Sequence, residues 1–146
     1  MPFLPKSRVV VPVDFSEGSV EAIKTALDLV SQPAALHLLH ILLPLDTLAP
    51  GTVWGTLDDG QRLQKSDEHF QEFLKANGLG DLHGVVRIGD PGWEIAEYAR
   101  IKQAELIVIP SHGYHGVKRV LLGSVAELVI RHANCPVLVL RRPDAE

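Results

Sequence analysis

Five short apolar runs punctuate the chain: Val9 to Val13, Leu36 to Leu43, Val85 to Ile88, Leu106 to Ile109 and Val137 to Leu140. Most are continuous rather than alternating, the pattern of strands covered on both faces in a parallel sheet. Helical patterns lie between them. Val20, Ile23, Leu27 and Val30 recur at three- and four-residue steps behind Ser16, a suitable cap, and Leu63, Phe70, Phe73 and Leu74 do so less tidily. A third helix is predicted from Asp90-Pro91, where Asp caps and Pro takes the first helical position, burying Trp93, Ile95, Ala96 and Ala99 or a subset of them. The fourth is built on Val120, Leu121, Val125, Leu128 and Val129. Strand and helix alternate throughout, so the expected fold is a three-layer α/β domain with right-handed crossovers and an open parallel sheet. No internal repeat is present. The one long irregular segment, Pro44 to Gly60, exceeds an ordinary connection and reads as a lid over a ligand, part of a subunit contact, or a surface loop.

At 146 residues the chain has the size of one domain, 1–146, large enough for a good core. A net charge of −4 argues against an electrostatically driven nucleic-acid binder, and the pairs Lys118-Arg119 and Arg141-Arg142 read as solvated surface unless one of the first pair meets a phosphate. The single cysteine, Cys135, forms neither an internal disulfide nor a metal clip and reads as a small buried hydrophobe. The opening residues lack the apolar core of a secretory leader, and no stretch approaches the roughly 20 apolar residues of a membrane span. The cytoplasm is therefore the expected compartment.

The chemistry concentrates near the C-terminus. Pro110-Ser111-His112-Gly113 follows an apolar run, and nine residues separate Gly113 from Gly123-Ser124, where a helical stretch begins. Glycine lets backbone approach a ligand closely, and the free N–H groups of a helix start, with Ser124 expected at the capping position, favour a phosphate. In an open parallel sheet the ligand belongs outside the carboxyl ends of the strands, where strand order reverses. If the first and fourth strands are neighbours there, Asp14 faces the same crevice and could accept from a ribose hydroxyl or a base amine. Its alternative role is a turn carboxylate ahead of the Ser16 cap.

These residues resemble the universal stress protein family, in its small nucleotide-binding form. Gly113, the nine residues Tyr114 to Leu122 and Gly123-Ser124 match the latter part of the family's Gly-x2-Gly-x9-Gly-Ser/Thr pattern. Val10 to Ser16, Leu38 to Ile41, Gly89 and the run from Leu121 through Cys135-Pro136 to Val139 extend the likeness over nearly the full length. The resemblance implies a Rossmann-like, five-stranded parallel sheet in the order 3-2-1-4-5 and a homodimer joined along the last strand. It also implies a site for ATP, or ADP or AMP in its place, with Mg²⁺ accompanying the phosphates. By that resemblance Pro12 and Asp14 line the adenosine part, Ile41 approaches the base through its backbone, and Ser111, His112 and Gly113 border the phosphates. Gly123, Ser124 and Val125 complete the phosphate cradle.

Pro110 stands where the family has its first glycine. Proline has no N–H and fixes φ near −65°. If that position needs only negative φ the site survives; if it needs positive φ or a donated hydrogen bond, the turn is reshaped. The chain would then be a homodimeric stress scaffold without nucleotide.

Rival chemistries find little support. His37 and His40, three apart in a strand, face opposite sides and cannot chelate one metal, and His112 and His115 have no Cys or carboxylate at ligand spacing. Ser111, Ser124 and Cys135 lack a nucleophile elbow. A phosphoacceptor receiver would need acidic residues clustered beside Asp14 or Asp90, whereas Asp14 is flanked by Val13 and Phe15. With no general base in view, at most a slow ATPase is expected, the nucleotide acting rather as a conformational ligand.

Overall fold

The computed structural model describes residues 2–45, 58–112 and 122–141. Among these residues five strands and four α-helices alternate: β1 (Val9–Pro12), α1 (Glu17–Leu27), β2 (Leu36–Leu42), α2 (Asp59–Ala76), β3 (Gly84–Ile88), α3 (Pro91–Ile101), β4 (Leu106–Pro110), α4 (Ser124–His132) and β5 (Val137–Leu140). The strands form one parallel sheet in the order β3-β2-β1-β4-β5, as expected.

Local chemistry explains where the helices begin. Ser16 accepts from the Ser19 amide at 3.2 Å and starts α1. Asp58 and Gln61 form a reciprocal capping box, Gln61 N donating to Asp58 Oδ1 at 2.7 Å and Asp58 N to Gln61 Oε1 at 3.1 Å. That box starts α2 before Gly60, so the irregular segment is shorter than its expected Pro44 to Gly60 span. Its residues 46–57 lie outside the described residues. Asp90 caps α3 with Pro91 as first helical residue.

Two cores follow from the alternation of strand faces. On one side α1 and α2 cover Val9, Val11 and Leu38, with Phe70 and Leu74 at the centre; on the other α3 and α4 cover Val10, Leu39 and Ile107, with Ile95, Tyr98 and Val129. Gly84 is required by the first core: a Cβ there would stand 2.3 Å from the Phe70 ring. His37 and His40 do divide between the faces, His37 beside Tyr98 and His40 beside Phe70. Central β1 and β4 are continuously buried, whereas edge strand β3 alternates and exposes Val85 and Arg87. Ile95, Ala96 and Ala99 are buried as α3 was expected to bury them. Trp93 is instead 52% exposed and stacks on His132 at 3.8 Å, because its position turns away from the sheet toward the end of α4. Cys135 is half-buried against the second core, and burial pushes its thiol pKa up.

Candidate functional site

The sheet opens at the carboxyl ends of its central strands. Parallel strands alternate the direction of their backbone groups, so every second residue of β1 faces β4 and the residues between face β2. Pairing of β1 with β4 runs only from Val9–Leu106 to Val10–Ile107. The next rungs would need N–H groups at Pro12 and Pro110, and proline has none. On its other side β4 stays paired: Ile107 N donates to Pro136 O at 3.0 Å and Ser111 N to Leu140 O at 2.8 Å. The Pro110 position, facing β1, therefore costs β5 no hydrogen bond. It is an ordinary strand residue and needs no positive φ.

Where that seam parts lies a cavity of about 480 Å³. It is lined by Pro12, Asp14, Ile41, Pro110, Ser111, His112, Gly123, Ser124 and Val125, so these residues of the sequence reading come together at one place. Gly113 lies outside the described residues, as do His115, Lys118, Arg119, Val120 and Leu121. The sequence reading missed the apolar wall: Leu39, Pro91, Ile95, Ile109 and Leu122 line it, with His40 and Ala126. The signal was present, since Leu39 shares a strand face with Ile41 and Ile95 stands one helical turn from Pro91.

Gly123 N donates to Ser111 O at 2.6 Å and so joins the start of α4 to the end of β4. Gly123, not Ser124, is the residue at the cap of α4, with no side-chain bond to close the helix. Ser124 is the first helical residue, and the capping role expected of it is corrected. The shift opens the site, because with no side-chain cap the first-turn amides of α4 keep their positive partial charge at the cavity. Beside them Ser111 is buried and its hydroxyl stands 3.1 Å from His112 Nδ1. His112 Nε2 is buried without a hydrogen-bond partner among the described residues. A buried polar atom left unpaired costs about 1–3 kcal/mol, so its place at a cavity wall marks a spot where a ligand would complete it.

Asp14 fills its turn role while lining the cavity. Its Oδ1 accepts from Ser16 N at 3.1 Å and from the Ser16 and Ser19 hydroxyls, and its own amide donates to Ser19 Oγ at 2.9 Å. Phe15 follows with φ +66°, a left-handed conformation rare for an aromatic residue, held by ring contacts to His40 at 4.4 Å, His69 at 4.6 Å and Phe73 at 5.2 Å. Burial lowers the His40 pKa, partly offset by its bond to the Val13 carbonyl and by the Asp14 charge. No cluster of metal-ligating side chains occurs among the described residues. No helix among them is long and apolar enough to cross a membrane.

A family model described as the universal stress protein family matches residues 6–141. The chain belongs to that family. Among curated universal stress proteins it is 33% identical to MJ0531 of Methanocaldococcus jannaschii, over 95% of this chain and 84% of that protein. In structure it resembles the hypothetical protein MJ0577 of the same organism, with a TM-score of 0.78 at 25% identity over 97% of this chain and all of the other. A universal stress protein solved in complex with cAMP shares the fold at TM-score 0.62 and 22% identity, covering 95% of this chain and 99% of that one. In this universal stress protein the seam between β1 and β4, parted by two prolines, makes the crevice that the fold reserves for ligands.

Proposed function

We propose that this universal stress protein binds an adenine nucleotide, ATP first, in the cavity at the parted seam, and acts as a nucleotide-responsive homodimer. The observation that carries the reading is His112 Nε2, buried and without a partner among the described residues, beside the start of α4, which has no side-chain cap. Ser111 Oγ and His112 Nδ1 pair at 3.1 Å, and in the tautomer with the proton on Nε2 a phosphate oxygen would meet that proton and the Ser124 and Val125 amides together. The apolar wall of Leu39, Ile95 and Ile109 suits a flat heteroaromatic base, and Asp14 lines the same cavity, for ribose or amine contact. The fold's capture of cAMP is a property of another protein and serves here by analogy, to name the class of ligand to try.

Asp14 Oδ1 is already engaged by two serines, and the described residues hold no metal cluster. They fit a Mg²⁺ that arrives on the nucleotide phosphates better than a resident ion, and its contribution would be to neutralise their charge. Dimerisation is assigned to β5: it is a sheet edge, and Leu138 there and Ile130 on α4 are exposed.

Sedimentation velocity with ATP and Mg²⁺, read at protein and nucleotide wavelengths, tests both parts. The protein should sediment at twice its chain mass and carry nucleotide with it, and Gly123→Val should keep the mass and lose the nucleotide. Protein that sediments alone at millimolar ATP refutes the binding. A dimer without nucleotide would leave the scaffold reading.

A further inference from the structure

We infer that His40 is a positioning residue for this site: by holding the Val13 carbonyl it leaves the Ile41 amide unpaired at the cavity wall, as a donor for the ring nitrogen of a bound base. The inference rests on the nucleotide reading for its ligand, and on hydrogen bonding alone for its mechanism.

The β1–β2 ladder runs from Val9–Leu36 to Pro12–Leu39 and continues for one bond, Val13 N to Leu39 O at 2.8 Å. The regular continuation of a parallel ladder is a bond from Ile41 N back to Val13 O. That bond is not formed among the described residues. Val13 O instead meets His40 Nδ1 at 2.6 Å. A carbonyl only accepts, so Nδ1 carries the proton. The ring is held in place by Phe15 at 4.4 Å and Phe70 at 6.5 Å, so the contact is built into the first core.

The consequence falls on the next residue. Successive residues of a strand direct their main-chain groups to opposite edges, so Ile41 N–H and C=O both face the side that β1 has left. Ile41 lines the cavity. A donor and an acceptor side by side on one strand edge match a base edge that offers a ring nitrogen beside an exocyclic amine. A carbonyl oxygen has two lone pairs, so the imidazole acts by holding Val13 O in an orientation where no bond to Ile41 N forms; without it the carbonyl can turn to Ile41 N, and closing that rung would withdraw the donor from the ligand.

The test uses the full chain and the variants His40→Ala and His40→Asn, since an Asn side-chain amide places an N–H close to where Nδ1–H stands. Hydrogen exchange should find the Ile41 amide unprotected in the parent and in His40→Asn, and at least about tenfold more protected in His40→Ala, the worth of one hydrogen bond. Calorimetric titration should show His40→Ala binding ATP and AMP about tenfold more weakly by the same factor, because the loss is at the base end, with His40→Asn close to the parent. An Ile41 amide already protected in the parent overturns the inference. So does a folded His40→Ala that binds as the parent does, or a His40→Asn as impaired as His40→Ala. If the parent takes up no nucleotide, the proposed function fails and the exchange measurement still decides the role of His40. If His40→Ala does not fold, the parent and His40→Asn decide it.

Discussion

The two seams of β1 behave differently. Toward β2 it is paired over its whole length, Val9 to Pro12, and one bond beyond; toward β4 the pairing stops after Val10. Phe70 and Leu74 centre the core that covers one face of the sheet, whereas the open seam parts at the cavity, where His112 Nε2 is buried without a partner among the described residues. Both seams have the same kind of strand, so apolar content does not separate them. Proline does, since Pro12 and Pro110 remove the donors that would have carried the ladder forward. In this chain the seam parts where these two donors are missing, at a point where the strand on the other side of β4, β5, loses no hydrogen bond.

If the closed half carries stability and the open half carries binding, substitutions should divide accordingly. The largest effect is expected from Phe70→Ala, which empties a fully buried site on the closed side and should cost about 3–5 kcal/mol in urea denaturation. A loss below about 1 kcal/mol would mean that this core does not anchor the sheet.

Acid should come next. Burial holds His40 below its ordinary pKa, and burial with the Lys102 and Arg8 charges does the same for His37. A depressed histidine pKa means the folded state binds its proton more weakly than the unfolded chain does. The stability tied to the neutral rings is thus complete above about pH 6.5 and is lost as pH falls through the folded values. Denaturation midpoints should drop between pH 7 and pH 5, and less so in His37→Asn. Midpoints that rise on acidification would contradict the sign.

Pro110→Ala has the smallest expected effect on stability. It restores an N–H facing β1, worth about 0.5–1.5 kcal/mol if the rung to Pro12 forms, and gives up about 0.4–1 kcal/mol of restraint on the unfolded chain. The melting midpoint should move little. A loss above about 2 kcal/mol would show that the ring itself is needed where it packs on α1, since a Cβ at Gly18 would stand only 3.3 Å from Pro110 Cβ.

Much of this was legible along the chain, for local reasons. Capping residues at Ser16 and Asp90 announce their helices because a side-chain oxygen within three residues satisfies an orphan amide, and continuous apolar runs announce strands because both faces must be buried. Which subset of Trp93, Ile95, Ala96 and Ala99 is buried was not legible, since helical spacing alone does not say which neighbour the far edge of an apolar stripe will meet, and Trp93 is the one left exposed. Gly123 and Ser124 were correctly paired as a helix start but assigned one position out, a difference set by backbone dihedrals.

By itself, then, the order of residues determined the alternating α/β plan, the family, and the group of residues around the glycine motif. Those depend on periodicity and on contacts between near neighbours. Tertiary structure alone decided that Pro12 and Pro110 border one seam, that His40 reaches Val13, and that His112 Nε2 is buried without a partner among the described residues. Each of these depends on register between strands distant in sequence, and register is set only when both faces of the sheet are packed.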